Sequence, residues 1–310
     1  MIKNIVTKIL VWEAKAAILK HSPKIIGITG SVGKSSAKEI VYCVLQNKFR
    51  VRQSTKSYNS EIGVSLSILG LPTYFGRSLG WVKNIVKGFI EIWNKKFPEV
   101  LVLEMGIDRP KDMEKILRIA RPHIGVVTAI GEIPVHVEFF SGPEEVAREK
   151  SKILKYLSPD DHAVLNFDDD VVFGMKEKTK ASVLSYGFGK HADFMASNYK
   201  LTPEGITFKV DHGGSFVPVY IRGVLGKHNV YPALCAFAVG EIMGFNLVQI
   251  AEYLSQCVYP PGRTKLVEGI KNSKIIDDTY NSSPMALHAA LDILEELEAG
   301  RKIAVLGDML

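Results

Sequence analysis

The sequence predicts an α/β protein: helices alternate with buried strands along most of its length, a small antiparallel β region interrupts them, and a second α/β unit begins near the end. Three observations carry this reading. Gly27-Ile28-Thr29-Gly30-Ser31-Val32-Gly33-Lys34-Ser35-Ser36 is a glycine-punctuated loop between an apolar run and a helical pattern. Val100 to Leu103 and Ile124 to Thr128 are continuous apolar runs, as strands buried on both faces require. Residues 181–222 switch to short alternating segments with turn signals such as His212-Gly213-Gly214.

The loop at 27–36 reads as a phosphate cradle. Glycines let backbone N–H groups turn toward an anion, the following helix presents its positive end, a lysine reaches the outer phosphates and a hydroxyl can hold a divalent cation. The strict P-loop spacing needs glycine at position 28, where Ile28 stands, so the loop is the shorter Thr-Gly-x-x-Gly-Lys-Ser form. A turn with no function is the plain alternative, but turn glycines seldom sit between a strand and a helix with Lys34-Ser35 attached.

Beyond the loop, Ser36 to Leu45 reads as a helix and Arg50 to Gln53 as a short strand. Asn59-Ser60-Glu61-Ile62-Gly63 opens another helix with polar cap chemistry. The strand at 100–103 ends in Glu104-Met105-Gly106, and ligands of open α/β sheets gather outside such strand ends, which would let Glu104 meet a metal held by Ser35. After the next strand comes a loop containing His136 and Glu138, then an acidic helix start at Pro143-Glu144-Glu145 that runs to Lys150. Leu165-Asn166 ends one more strand, and Gly226-Lys227-His228-Asn229 restarts helical patterning through Gly244. Pro260-Pro261-Gly262-Arg263 marks a domain edge near Lys265. Lys274 to Asp277 reads as a strand, Met285 to Glu298 as an amphipathic helix and Arg301 to Leu306 as a second strand that completes a βαβ unit.

The 310 residues, 46% hydrophobic, can bury a sizeable core and suit two domains. The net charge of +6 favours anionic ligands or an anionic surface, but 33 acidic residues are interspersed with 39 basic ones, so no nucleic-acid partner is implied. Cys43, Cys235 and Cys257 are odd in number and lack metal-type spacing, which predicts free, buried thiols in a reducing compartment rather than a disulfide framework. No apolar run approaches the roughly 20 residues that span a bilayer and no secretory signal is evident, so a cytoplasmic location is expected. Residues 3–20 nevertheless interleave Ile5, Ile9, Trp12 and Leu19 with Lys3, Lys8, Lys15 and Lys20. Residues 79–97 repeat the pattern with Trp81, Ile85, Phe89 and Ile92 among Lys83, Lys87, Lys95 and Lys96. Either helix could lie on an anionic membrane, although most amphipathic helices pack their apolar stripe on their own protein.

Taken together, the order of Thr29-Gly30-x-x-Gly33-Lys34-Ser35, Asn59-Ser60-Glu61-Ile62-Gly63, Glu104-Met105-Gly106, His136-x-Glu138, Gly226-x-His228-Asn229, Gly262-Arg263 and Asp277-Asp278-Thr279-Tyr280-Asn281 resembles the Mur ligases. The Asn-x-Glu-Ile-Gly, Asp-Asp-x-Tyr-Asn and Gly307-Asp308-Met309 elements point to the D-alanyl-D-alanine-adding branch rather than to folylpolyglutamate synthase. The resemblance implies a P-loop central ATPase domain at 25–265 with a small antiparallel β region, preceded by a basic amphipathic helix at 1–24. The start of a Rossmann-like domain follows at 266–310. It implies ATP-dependent amide formation through an acyl phosphate, with ATP and Mg²⁺ as cofactors and a UDP-sugar peptide and D-alanyl-D-alanine as small-molecule substrates of a monomer. A ligase for another carboxylate, folylpolyglutamate-like, and an ATP-binding module without ligation are the alternatives.

By the same resemblance Thr29, Gly30, Ser31, Val32, Gly33, Lys34, Ser35, Ser36 and Asn59 belong to the nucleotide site. Lys34 and Arg263 clamp the γ-phosphate, Ser35 and Glu104 hold Mg²⁺, and His136 with a carbamylated Lys150 hold a second one. Asn229 meets adenine and Asp278 the ribose. The chain departs from the family pattern at Ala129 and Pro232, each in place of an asparagine. Two residues are inserted before His136, the helix at 79–97 is an addition, and a UDP-sugar domain is not found in the residues before the loop. The short piece after Lys265 is expected to be too small for its own core, so this chain should bind ATP-Mg²⁺ and ligate poorly by itself.

Overall fold

A computed structural model describes residues 2–54, 58–74, 78–131, 139–202, 204–259, 262–280 and 284–308. His136 and Glu138, Pro260 and Pro261, Asn281 and Met309 lie outside the described residues.

The chain opens with helix α1 (Ile2–His21) and enters strand β1 (Lys24–Thr29), whose last five residues are buried. Helix α2 (Lys34–Leu45), strand β2 (Val51–Gln53), helices α3 (Glu61–Leu69) and α4 (Ser78–Ile92), strand β3 (Val100–Glu104), helix α5 (Asp112–Leu117) and strand β4 (Ile124–Val127) follow. Helices α6 (Pro143–Lys150) and α7 (Lys152–Lys155) lead to strand β5 (His162–Asn166) and the short helix α8 (Asp170–Phe173). Strands β6 (Ser182–Gly187), β7 (Phe194–Thr202), β8 (Gly205–His212) and β9 (Ser215–Arg222) precede helices α9 (Val230–Ile242) and α10 (Leu247–Ser255). Strands β10 (Lys265–Glu268) and β11 (Lys274–Asp277) and helix α11 (Pro284–Glu296) close the order.

Nine strands form one sheet in the order β2-β3-β1-β4-β5-β6-β7-β8-β9, parallel from β2 through β7 and antiparallel across β7, β8 and β9. The antiparallel region read at 181–222 is therefore continuous with the main sheet, and β6 at its start is parallel. Alternate residues of one strand serve opposite layers, as a period of two requires. Ile26, Ile28, Val100, Val102, Val126 and Val164 pack in the core under α2 and α9. Ile25, Leu101, Leu103, Val127 and Leu165 pack in the core under α1, α3 and α5. Both faces of β1, β3 and β4 are covered, which is why their sequences are unbroken apolar runs.

Two readings are corrected. Residues 301–306 form no strand: Ile303, Val305 and Leu306 are exposed, and β11 pairs with β10 in an antiparallel ribbon instead. An apolar run becomes a strand only when a neighbour accepts its backbone hydrogen bonds, and none among the described residues does so. The cysteines are not all free: Cys43 on α2 is disulfide-bonded to Cys257, just past α10, and only Cys235 stays a buried thiol. The bonded pair is 214 residues apart, a distance over which spacing rules for cysteines say nothing.

Candidate nucleotide and ligation site

The loop between β1 and α2 sits at the carboxyl end of a strand flanked by β3 and β4. Its shape needs both glycines. Gly30 has φ +146°, and a Cβ there would collide with Thr128 Oγ1, the hydroxyl that donates to Val32 O at 2.6 Å. Ser31 N and Val32 N both donate to Ala129 O, tying the loop to the end of β4. Gly33, at φ +85°, is the N-cap of α2 and supplies no side-chain cap, so the first amides of the helix are left for a ligand. Ser31 Oγ and Thr29 Oγ1 are buried without a hydrogen-bond partner. Uncapped amides beside orphaned hydroxyls are what an anion would satisfy.

Charge is concentrated around this cradle. Lys34 Nζ donates to Ser31 O at 3.0 Å, folded back on its own loop. Burial lowers its ammonium below the usual lysine range, Glu104 and Asp108 oppose that, and Arg263 adds to it. Lys150, at the end of α6, is 3% exposed and donates to Gly30 O at 2.9 Å. Burial, then the charge of Lys34, pushes it down to about 7, against the pull of Asp108 and Glu104. These residues therefore act on one another although the sequence separates them widely.

Glu104 ends β3, is 1% exposed and accepts from Ser35 Oγ at 2.9 Å and from Asn59 Nδ2 at 3.3 Å. Ser54 Oγ accepts the Glu104 backbone N–H at 3.0 Å and fixes the strand end. Among the described residues no group of three or more His, Cys, Asp or Glu side chains is arranged to hold a metal by itself. Mg²⁺ takes one or two carboxylates and completes its shell with phosphate oxygens and water, so the Ser35–Glu104 pair fits Mg²⁺ held together with a nucleotide. A cleft of ≈ 420 Å³ opens beside Asn59 and Gly106, bordered by Thr7, Glu61, Asp108 and Lys115.

On the far side, Arg263 stacks its guanidinium 4.5 Å over the Tyr280 ring. Thr264 N donates to Asp278 Oδ1 at 3.0 Å, and burial raises the Asp278 carboxyl above its ordinary range. Asn229 is buried and spends its amide nitrogen on Leu225 O and Thr264 Oγ1, at 2.8 and 2.7 Å, so it braces the turn before α9 against the Arg263 segment. The structure thus gathers Lys34, Ser35, Glu104, Lys150 and Arg263. Asn229 and Asp278 form a neighbouring knot through Thr264, and His136 lies outside the described residues.

Two residues near the site, Thr128 and Asp108, were given no role from the sequence, and a third, His228, entered only within the Gly226-x-His228-Asn229 pattern. Thr128 shapes the loop, Asp108 acts on both lysines, and His228 shares Thr264 with Asn229. Burial, then Arg263, pushes His228 down to about 4, so it is neutral at physiological pH. Asp108 was findable as a second carboxylate in the loop after β3, and His228 stands in the Gly226-x-His228-Asn229 pattern; Thr128 carries no local signal.

Fold and site together define a P-loop-type α/β protein with a cation-lined phosphate cradle at its strand ends. The Mur ligase middle domain matches residues 28–240, and the chain belongs to that family. It is 30% identical over 300 residues to the UDP-N-acetylmuramoyl-tripeptide--D-alanyl-D-alanine ligase of Bacillus subtilis, covering 96% of this chain and 58% of that protein. Among solved structures, MurF ligase from Thermotoga maritima in complex with ADP superposes with TM-score 0.78 at 26% identity, over 94% of this chain and 61% of that one. Mycobacterium tuberculosis folylpolyglutamate synthase shares the fold, with TM-score 0.67 at 17% identity over 92% of this chain and 70% of that one. The chain spans less than two thirds of the length of the Bacillus subtilis and Thermotoga maritima relatives.

Proposed function

We propose that this chain is the ATP-handling part of an amide ligase that adds D-alanyl-D-alanine to a UDP-N-acetylmuramoyl tripeptide in the cytoplasm, acting as a monomer on small-molecule substrates. The observation that carries the reading is the convergence of Lys34, Lys150 and Arg263 with the Ser35–Glu104 pair on one uncapped helix start. In this reading a substrate carboxylate attacks the γ-phosphate of ATP, ADP leaves, and the amine then displaces phosphate from the acyl phosphate. Phosphoryl transfer is promoted chiefly by positioning and charge neutralisation.

Lys34 releases Ser31 O and, with Arg263, holds the transferring phosphoryl group. Ser35 and Glu104 would hold Mg²⁺, which would supply further charge neutralisation there. Burial pushes Lys150 down to about 7, which favours the neutral amine, the form that can add CO₂ with loss of a proton. The resulting carbamate is an anionic oxygen donor suited to a second Mg²⁺, with His136 as its companion by family pattern. By family pattern Asn229 would meet the adenine and Asp278 the ribose. Residues 25–265 form the ATP-binding domain of this reading.

The test is to incubate the full gene product with ATP, Mg²⁺ and the muramoyl tripeptide, with and without D-alanyl-D-alanine, and to identify the product by mass. A mass gain equal to the dipeptide less water, dependent on all three additions, is expected. ATP consumption with no amide product, or product only with a folate or glutamate acceptor, would overturn the assignment.

A further inference from the structure

Helix α4 has two apolar faces, and the fold covers one. Its inner face is pinned to the body: Asn84 Nδ2 donates to Pro72 O at 2.7 Å, Glu91 pairs with Arg52 at 2.5 Å, and Ile92 O meets His21 Nε2 at 3.0 Å. Gly88 lies so close to Glu13 of α1 that a Cβ would strike its carboxylate. The outer stripe, Leu79, Val82, Val86, Phe89 and Ile90, recurs at helical spacing, is continued by Trp93 just past the helix end, and is 52–85% exposed. On the adjoining α1, Ile5, Trp12 and Leu19 are exposed as well. Isolated exposed apolar residues are ordinary, but a whole stripe left uncovered along a helix marks an interaction surface.

The charges on these helices are one-sided. Residues 1–21 and 78–97 hold eight lysines and two glutamates. Glu13 is buried and Glu91 is paired with Arg52, so neither offsets the exposed Lys8, Lys20, Lys83, Lys87, Lys95 and Lys96. Trp12 on α1 and Trp93, one residue past α4, are both exposed, whereas Trp81 packs on the core, and Lys20 Nζ sits 3.2 Å from the Trp93 ring. Tryptophan between apolar residues and lysines is the composition of the membrane–water interface.

We propose that α1 and α4 dock this protein on an anionic lipid surface, lying in the headgroup layer. No helix among the described residues is long and apolar enough to cross a membrane, so the contact is peripheral. A second copy seated on the same face would set its lysines against these lysines, whereas an anionic bilayer complements both the charge and the apolar stripe. Thr7 of α1 also borders the cleft beside Asn59, so docking would hold that cleft near the headgroups.

The experiment is flotation of the 310-residue chain with vesicles of phosphatidylcholine alone or with phosphatidylglycerol added, at low and high salt. Tryptophan quenching by brominated lipid is read in parallel. Binding to the anionic vesicles only, with quenching and weakening by salt, is expected. Lys83→Glu with Lys87→Glu should weaken binding on the order of tenfold or more, and Phe89→Glu with Ile90→Glu should abolish it, both with unchanged circular dichroism. Should the second pair fail to fold, the lysine pair and the quenching decide. Absent binding to anionic vesicles, equal binding to neutral ones, indifference to the lysine pair, or a wild-type dimer that the lysine pair leaves intact would each overturn the proposal.

Discussion

Two sets of lysines in this protein follow opposite physical rules. Lys34 and Lys150 sit in the cradle, where burial weakens their hold on a proton and each acts on a named neighbour. The lysines of α1 and α4 stand in water beside exposed apolar side chains. A desolvated cation interacts strongly and responds to single-atom changes, whereas an exposed one is screened and acts only as part of a patch. Positive charge in this chain has meaning only with its solvent exposure attached.

The sharpest way to break the contrast is Lys34→Ala. Removing one charge that stabilises a transferring phosphoryl group costs on the order of 10²–10³ in rate, and substrate-dependent ATP consumption by the full gene product should fall by that much with the fold retained. Turnover within about twofold of wild type would put Lys34 on the same footing as a surface lysine.

Lys150→Met should abolish ligation and change how stability depends on pH. The folded-state value near 7 lies below that of an unfolded lysine, so between them the unfolded chain holds more protons and wild-type stability rises with pH. The cost of burying the charge is fully present below about 7 and fades toward pH 10. Relative to wild type, the methionine variant should therefore be most favoured at pH 7 and below, with the gap closing as pH rises. Urea unfolding in CO₂-free buffer across that range measures it; a constant gap would mean that Lys150 is not held neutral by the fold.

Glu13, buried beneath the α1–α4 face, gives the intermediate case. Burial raises its carboxyl to about 7, above the unfolded value, so its contribution is intact below about 4.5 and lost as pH rises through 7. Glu13→Gln should stabilise the protein above pH 7, on the order of 1–3 kcal/mol, and make little difference at pH 4. Thermal melts at both pH values read the sign. The smallest effect belongs to Lys83→Gln with Lys87→Gln, which should shift stability by no more than about 0.5 kcal/mol and leave ATP consumption in solution unchanged. A larger loss would show these side chains to be packing elements.

Much of the site was legible in the chain because its signals are local. Gly30 and Gly33 announce positive φ, Lys34-Ser35 follow at fixed spacing, and the unbroken apolar runs of β3 and β4 report strands covered on both faces. Glu104 could be placed beside Ser35 because strand ends of an open sheet converge. The low proton affinity of Lys150 was not legible: in sequence it belongs to a charge run, and only packing of α6 against the Gly30 carbonyl buries it. The strand expected at 301–306 failed because a strand is a property of two segments, and periodicity reads one.

The sequence by itself determined the α/β alternation, the phosphate loop and the amphipathic character of α1 and α4, since each follows from residue types a few positions apart. Tertiary structure decided what required distant segments to meet. It set Ser35 against Glu104 across 69 residues, Lys150 against Gly30 across 120, and Cys43 against Cys257 across 214. It also chose which apolar face of α4 is covered, because helical periodicity shows that a face is apolar but not whether the fold supplies a neighbour to bury it.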